Sequence, residues 1–176
     1  MRIFDFLKGD NKTAEEYFAL ATEKIQKGLY NEAIPSYNKA IEKDLNYSYA
    51  YHDRGLAKDY VRDYFGAIKD FNKAIELDPT DAMAYYNRAR SKYSKSMSNP
   101  SSGNFSDVIQ DNLMALKLLD KDKDIPAYVP ENIKQLIFLN NGLARNSLKD
   151  FETAISDFTE AIKLDENFAD GYQNRA

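Results

Sequence analysis

Few residues in this sequence could do chemistry, and the most suggestive are His52 and Asp53. A neighbouring histidine and aspartate can hold a metal ion for phosphate ester hydrolysis, but such a site needs further histidines. His52 is the only histidine among the 176 residues, and the sequence contains no cysteine. These counts exclude histidine-pair and thiolate metal sites. We therefore interpret His52 and Asp53 as a surface or groove-facing pair on a helix.

Other catalytic patterns are missing as well. The sequence has no phosphate-binding glycine loop, zinc-binding helix motif or nucleophile elbow. Carboxylates are plentiful, but most fall on predicted solvent faces or at helix starts, where they complement the helix dipole. We predict that the protein is not an enzyme and has no catalytic residue, cofactor or metal site.

The composition is that of a soluble, ordered and mostly helical chain, with 43% hydrophobic and 30% charged residues and few glycines or prolines. The net charge of -4 argues against a nucleic-acid partner, whose phosphates favour a basic surface. No apolar run is long enough to span a membrane. Residues 1–8 are too short and too polar for a secretory signal, so we expect a cytoplasmic protein without membrane insertion.

The sequence repeats itself. The stretch FNKAIELDPTDAMAYYNRA at residues 71–89 recurs as FTEAIKLDENFADGYQNRA at residues 158–176, and a weaker copy begins at residue 37. In each copy one helix ends and another begins, and Thr80 is the predicted cap of the second helix in the first of these stretches. Alignment at a spacing of 34 gives units at residues 14–47, 48–81, 82–122 and 135–168, with a partial unit at 169–176 and an N-terminal segment at 1–13.

The aligned units share columns of aromatic and small residues at helical intervals. Small residues let two helices approach closely, while aromatic and isoleucine side chains fill the space between them. Each unit is therefore predicted to be a helical hairpin. The first aromatic column holds Tyr17, Tyr51, Tyr85, Phe138 and Tyr172, and the small column four residues later holds Ala21, Gly55, Ala89, Gly142 and Ala176.

The spacing, these columns and strings such as LDPTDAMAYYNRA resemble the tetratricopeptide repeat. The resemblance covers residues 14–176 apart from two insertions. It implies an all-α fold in which antiparallel helix pairs stack into a right-handed superhelix, a TPR-like α-solenoid of about four repeats plus a half repeat. The first helix of each pair would then line a concave groove.

The third unit departs from the pattern. Its second helix begins seven residues late, behind a predicted loop insertion at residues 94–104, SKSMSNPSSGN. It also has Val108 in a column of alanines and Asn112 in a column of aromatic residues, which predicts a weaker or tilted hairpin. A predicted linker at residues 123–134 follows, in which Pro130 is placed to start a lengthened helix.

The implied groove has its own column positions, one step around each first helix from the core stripe. Carried over from the resemblance, these positions hold tyrosine, methionine, leucine and arginine, which are good anchors for a bound peptide. The alternative is that they pack between adjacent units. The predicted groove residues are Phe18, Thr22, Tyr49, His52, Leu56, Met83, Tyr86, Asn87, Arg90, Tyr93, Leu136, Leu139 and Leu143, and the same stripe includes Glu15, Ile25, Asp59 and Asn146.

The charge of the third unit points to one kind of ligand. Residues 82–119 carry five basic residues against two acidic ones, so a groove that is basic at its middle could hold an acidic residue or a C-terminal carboxylate of a partner. Two basic columns argue for a structural role instead. These columns are Arg54, Arg88 and Arg175, and Lys24, Lys58, Lys92 and Arg145.

Three functions remain open. The leading hypothesis is a non-catalytic protein–protein interaction module, or scaffold, that binds a peptide segment of a partner protein in its concave groove. The first alternative is self-assembly into a homo-oligomer through the open half repeat at residues 169–176. The second is a co-chaperone that binds a chaperone C-terminal tail, although Phe18 and Thr22 occupy places where such members of the family have a lysine and an asparagine.

Overall fold

The computed structural model describes residues 11–99, 103–121 and 128–175. Outside the described residues lie most of the predicted N-terminal segment, part of the 94–104 insertion, part of the 123–134 linker and Ala176. In the described ranges the secondary structure is helical, without strands. The helices are α1 (Ala14–Gln26), α2 (Tyr30–Lys43), α3 (Ser48–Tyr60), α4 (Tyr64–Leu77), α5 (Ala82–Ser98), α6 (Phe105–Lys121), α7 (Ile133–Ser147), α8 (Phe151–Leu164) and α9 (Ala169–Arg175).

Several of these helices have an N-cap residue whose side chain accepts a hydrogen bond from a backbone N–H of the first turn. At α1 the Thr13 hydroxyl accepts a hydrogen bond from the Glu16 N–H, and the Glu16 carboxylate accepts one from the Thr13 N–H, which satisfies two donors that the helix leaves unpaired. At α5 the cap is Asp81, whose Oδ1 accepts from the Ala84 N–H. The prediction of Thr80 as this cap was wrong by one residue, because the Thr80 hydroxyl donates to Asp78 instead.

The turn inside three of the hairpins contains a residue with positive φ at the same repeat position. Gly28, Arg62 and Lys149 have φ of 73°, 64° and 63°. In the turn after α3, the Asp63 N–H donates to the Lys58 carbonyl, as in a Schellman motif. A left-handed conformation is unstrained for glycine but costs an L-residue about 1 kcal/mol. Two of these turns therefore carry strain that the first avoids.

The helices pack in consecutive antiparallel pairs, α1 on α2, α3 on α4, α5 on α6 and α7 on α8, and each second helix also packs on the first helix of the next pair. First helices of neighbouring pairs touch as well, α3 with α5, α5 with α7 and α7 with α9. The expected all-α stack of helix pairs is confirmed.

The small and aromatic columns meet inside the hairpins, as predicted. A Cβ atom on Gly55 would lie 2.8 Å from the Phe71 ring, and one on Gly142 would overlap the Phe158 ring. Phe71 and Phe158 are fully buried. Glycine at these two positions therefore allows the two helices of a hairpin to approach until the ring fills the gap.

Two sequence-based boundaries need correction. The predicted loop at residues 94–104 begins too early, since α5 continues to Ser98. Ser96, in the last turn of this helix, is buried. The predicted 123–134 linker extends too far, since α7 begins at Ile133, after the cap residue Asn132. Ile133 is buried in a cluster with Leu119, so the first residue of α7 already packs in the core. The helix does not start at the predicted Pro130, because its cap is Asn132.

The third hairpin is joined to the fourth by an amide pair. Asn112 on α6 and Asn141 on α7 are fully buried, and Asn112 Nδ2 donates to Asn141 Oδ1 at 2.9 Å. Among the described residues, Asn112 Oδ1 and Asn141 Nδ2 have no hydrogen-bond partner. The contact between α6 and α7 is thus polar, and its hydrogen bonds are incomplete. At the repeat position of Asn112 the other hairpins have the aromatic residues Tyr37, Phe71 and Phe158. The weaker or tilted third hairpin stays a prediction.

Within the described part of the chain, none of the helices combines the length and the apolar character needed to cross a membrane.

Candidate functional site

The residues predicted to line the groove differ in exposure. His52, Tyr86 and Asn87 are buried, with 7%, 7% and 3% of their surface exposed. Their contacts with the rest of the protein are therefore much larger than any surface that they could offer to a ligand. The other predicted residues remain partly or largely exposed, and they are Phe18, Thr22, Tyr49, Leu56, Met83, Arg90, Tyr93, Leu136, Leu139 and Leu143.

Aromatic rings support the N-terminal part of this face. Phe18 on α1 packs against Tyr37 and Tyr47, with ring centroids 5.7 and 5.1 Å apart. The Thr22 hydroxyl donates to the Phe18 carbonyl at 3.0 Å. Phe18 therefore presents only part of its ring to solvent and is held in place by the first hairpin and by the turn after it.

Asp53 is a neighbour of these residues that the list of groove candidates does not include. Its Oδ2 accepts a hydrogen bond from the buried Tyr37 hydroxyl at 3.5 Å. Burial raises the pKa of the Asp53 carboxyl, and the charge of His52 and the Tyr37 hydroxyl only partly oppose this. Asp53 lies four residues after Tyr49, so it shares the face of α3 that carries Tyr49. That spacing is the signal by which it could have been found.

His52 joins the second hairpin to the third. Its Nδ1 lies 3.2 Å from Asp81 Oδ2, its Nε2 lies 3.0 Å from Asn87 Nδ2, and its ring packs on Phe71. Burial would raise the pKa of Asp81, but the hydrogen bond and charge of His52 and the backbone N–H groups of Ala84 and Met83 hold it below its usual value. Nδ1 is therefore placed to donate to Asp81, and Nε2 faces the Asn87 amide.

Arg90 on α5 is paired within the protein. One of its guanidinium nitrogens donates to Asp59 Oδ2 at 3.0 Å, and the Ser91 hydroxyl donates to the other oxygen of the same carboxylate. Burial raises the pKa of the nearby Tyr86 hydroxyl, and Arg90 opposes that shift. The charge that was expected to make the middle of the groove basic is therefore largely neutralised by Asp59.

Two further basic residues of the third unit, Arg88 and Lys92, also have internal partners. Arg88 forms a bidentate pair with Asp111 at 2.6 and 2.8 Å and donates to Asn72 on the preceding hairpin, and Lys92 lies 2.8 Å from the same Asp111 carboxylate. The second hairpin repeats the arrangement, since Arg54 and Lys58 hold Asp70 and Arg54 also donates to Asn38. The structural role considered for these columns is confirmed at Arg54, Lys58, Arg88 and Lys92.

The C-terminal part of the face is apolar. Leu136 packs at the edge of a buried cluster that contains Tyr86, Leu119 and Ile133. Leu139 and Leu143 follow Leu136 on α7 at helical spacing and are half-buried. Among the described residues, no three histidine, aspartate or glutamate side chains are placed to hold a metal ion.

Successive helical hairpins with an open face on their first helices define the chain as a helical repeat protein. Family models agree. A model described as "TPR repeat" matches residues 63–95, and one described as "Tetratricopeptide repeat" matches residues 14–47 and 137–168. Together these matches cover more than half of the sequence. The chain belongs to the tetratricopeptide repeat family.

Solved structures share the fold at low sequence identity. A crystal structure of MamA is 21% identical over 88% of this chain and 80% of its own, with a TM-score of 0.72. MamA 41-end from Desulfovibrio magneticus RS-1 is 17% identical over 92% and 81%, with a TM-score of 0.76. The first TPR of Spaghetti (RPAP3), bound to the HSP90 peptide SRMEEVD, is 20% identical over 66% and 87%, with a TM-score of 0.56. No curated protein matches the sequence.

Proposed function

We propose that this protein is a non-catalytic interaction module that binds an extended peptide segment of a partner protein along the first-helix face. Membership of the tetratricopeptide repeat family supports a role in protein–protein interaction. The observation that carries the proposal is the run of partly exposed aromatic and aliphatic side chains on successive first helices, from Phe18 and Tyr49 to Leu139 and Leu143.

The chemistry of this face suits a peptide. Tyr49 is 52% exposed, and large aromatic side chains supply contact area at a low cost in conformational entropy. The half-buried leucines of α7 offer shallow apolar contacts next to it, while the buried network of His52, Asp81 and Asn87 fixes the relative position of α3 and α5. A rigid surface of this kind reduces the entropy that binding would otherwise lose.

The test is selection from a phage-displayed library of random peptides on the immobilised protein, followed by affinity measurements on synthetic versions of the selected peptides. We expect Tyr49→Ala and Leu139→Ala each to weaken binding about tenfold or more, as for interface anchors. Phe151→Ala is the matched control, because Phe151 is equally exposed but lies on the second helix α8. Equal binding by all three variants would refute the groove assignment.

The two alternative functions predicted from the sequence differ in the support that they have. An acidic or C-terminal carboxylate ligand, including a chaperone tail, has less support than before, because Arg90 is engaged with Asp59 and Lys92 with Asp111. Self-assembly keeps one supporting observation, since the large side chains Leu164 and Tyr172 are about half exposed around α9. Light scattering after size exclusion tests it, and a concentration-independent monomer would rule it out.

A further inference from the structure

Asp53 differs from the other carboxylates that the hairpins hold away from solvent. Between the helices, Asp70, Asp111 and Asp157 each pair with an arginine, and on the first-helix face Asp59 pairs with Arg90. Asp53 forms no ion pair with any residue in the described ranges, and its hydrogen bond comes from the Tyr37 hydroxyl. Asp53 is thus a half-buried carboxylate that no lysine or arginine in the described ranges pairs with.

No lysine or arginine of α1 or α3 pairs with Asp53. The lysine and arginine residues of α1 and α3 are Lys24, Arg54 and Lys58. Lys24 donates to the Glu32 carbonyl and to Ser36, while Arg54 and Lys58 hold Asp70. These three side chains are thus turned towards the second helices, and none of them pairs with Asp53.

The position of Asp53 makes it accessible to a ligand. It lies between Tyr49 and Leu56 on the open side of α3, and its side chain is half-buried. The Tyr37 hydroxyl donates to one carboxylate oxygen, and within the described ranges no donor is found for the other oxygen. Partial burial strengthens the interaction with a cation, because water screens the two charges less than at a fully exposed site.

We propose that the peptide bound on the first-helix face carries a lysine or arginine whose charged group pairs with Asp53, next to apolar residues that contact Tyr49 and the leucines of α7. This inference rests on the proposed function and names the chemistry of the partner. It gives the opposite sign of charge to the acidic ligand expected from the basic residues of the third unit. A bound metal cation has no support, since among the described residues Asp53 belongs to no group of three histidine, aspartate or glutamate side chains that could hold a divalent ion.

The experiment uses the same random peptide library and analyses which residues are enriched. We expect lysine or arginine at a fixed distance from apolar positions in the selected peptides. Asp53→Asn, which keeps the shape and the acceptor for Tyr37, should weaken binding of such a peptide about tenfold, as for loss of a charged hydrogen-bond partner. Glu42→Gln is the control, because it removes the same charge from an exposed site on the second helix α2.

A charge reversal sharpens the test. Asp53→Lys should prefer the selected peptide in which the basic residue is replaced by glutamate, and the wild-type protein should reject that peptide. Peptides that depend on Tyr49 and Leu139 but show no basic requirement, or that bind Asp53→Asn as tightly as wild type, would overturn this inference and leave the proposed function intact. A selection without any peptide that depends on Tyr49 or Leu139 would overturn both.

Discussion

The Nδ1 atom of His52 lies 3.2 Å from Oδ2 of Asp81, across the junction between the second and third hairpins. The other oxygen of Asp81 caps α5 by accepting from the Ala84 N–H. His52 also meets Asn87 through its second ring nitrogen. The buried imidazole of α3 thus contacts both the residue that caps α5 and a side chain within α5.

Replacement of this imidazole should destabilise the protein. His52→Leu keeps a similar volume but leaves Asp81 and Asn87 without their partner in a buried site, which should lower the free energy of unfolding by about 2 kcal/mol. Urea denaturation followed by circular dichroism measures the change. The matched control is Tyr49→Leu, on the exposed face of the same helix, for which we expect little change. An equal loss in both variants would contradict the assigned role of His52.

The amide pair between α6 and α7 gives a double-mutant prediction. Asn112→Leu alone leaves the Asn141 amide buried without a partner and should cost about 1–3 kcal/mol of the free energy of unfolding. Asn112→Leu combined with Asn141→Leu should recover most of this loss, since two apolar side chains of similar size then replace two incompletely bonded amides. Additive losses in the double variant would show that the amides do not act as a pair.

The strained turns give substitutions with opposite expected signs. Arg62→Gly and Lys149→Gly should each raise the free energy of unfolding by about 0.5–1 kcal/mol, because glycine adopts positive φ without strain. Gly28→Ala should lower it by about 1 kcal/mol for the same reason. A Cβ atom at Gly28 would contact nothing within 4 Å, so this variant isolates the backbone term. Thermal or urea denaturation measures all three, and a loss on Arg62→Gly would contradict the explanation.

The raised pKa of Asp53 predicts a pH-dependent effect on stability. Burial favours the protonated form of this carboxyl in the folded protein, so its ionised form destabilises the fold at neutral pH. Asp53→Asn should therefore unfold at higher urea concentration than wild type at pH 7. The difference should close as the pH falls through the raised pKa, where the wild-type carboxyl gains its proton. With Glu42→Gln as the reference, a difference that grows at low pH would contradict this account.

Much of the fold could be predicted from the sequence because the contacts that define a hairpin lie within one repeat. Gly55 meets Phe71 and Gly142 meets Phe158 inside their own units, so the same requirement recurs at each period and leaves a visible column. The end of α5 could not be predicted in this way. Its last turn contains serines, which favour neither helix nor loop strongly, and the burial of Ser96 depends on tertiary packing.

The site was less predictable because its contacts cross between units. The count of basic residues in the third unit indicated a basic groove, but Arg90 meets Asp59 from the second unit, and nothing local in the sequence marks that pairing. His52, Tyr86 and Asn87 occupy predicted groove positions and are nevertheless buried. How deeply such positions are covered depends on the angle at which successive hairpins stack, which a column alignment does not contain.

The arginine contacts between hairpins determine where a further repeat unit could be added to the stack. Arg54 and Arg88 hold an aspartate in their own hairpin and reach Asn38 and Asn72, at equivalent positions in the hairpin before. A tandem duplication of residues 48–81 would give each new arginine both partners. Asn141, in contrast, is matched to Asn112. Such a duplication would therefore keep these arginine contacts, whereas a unit inserted between the third and fourth hairpins would separate Asn112 from Asn141.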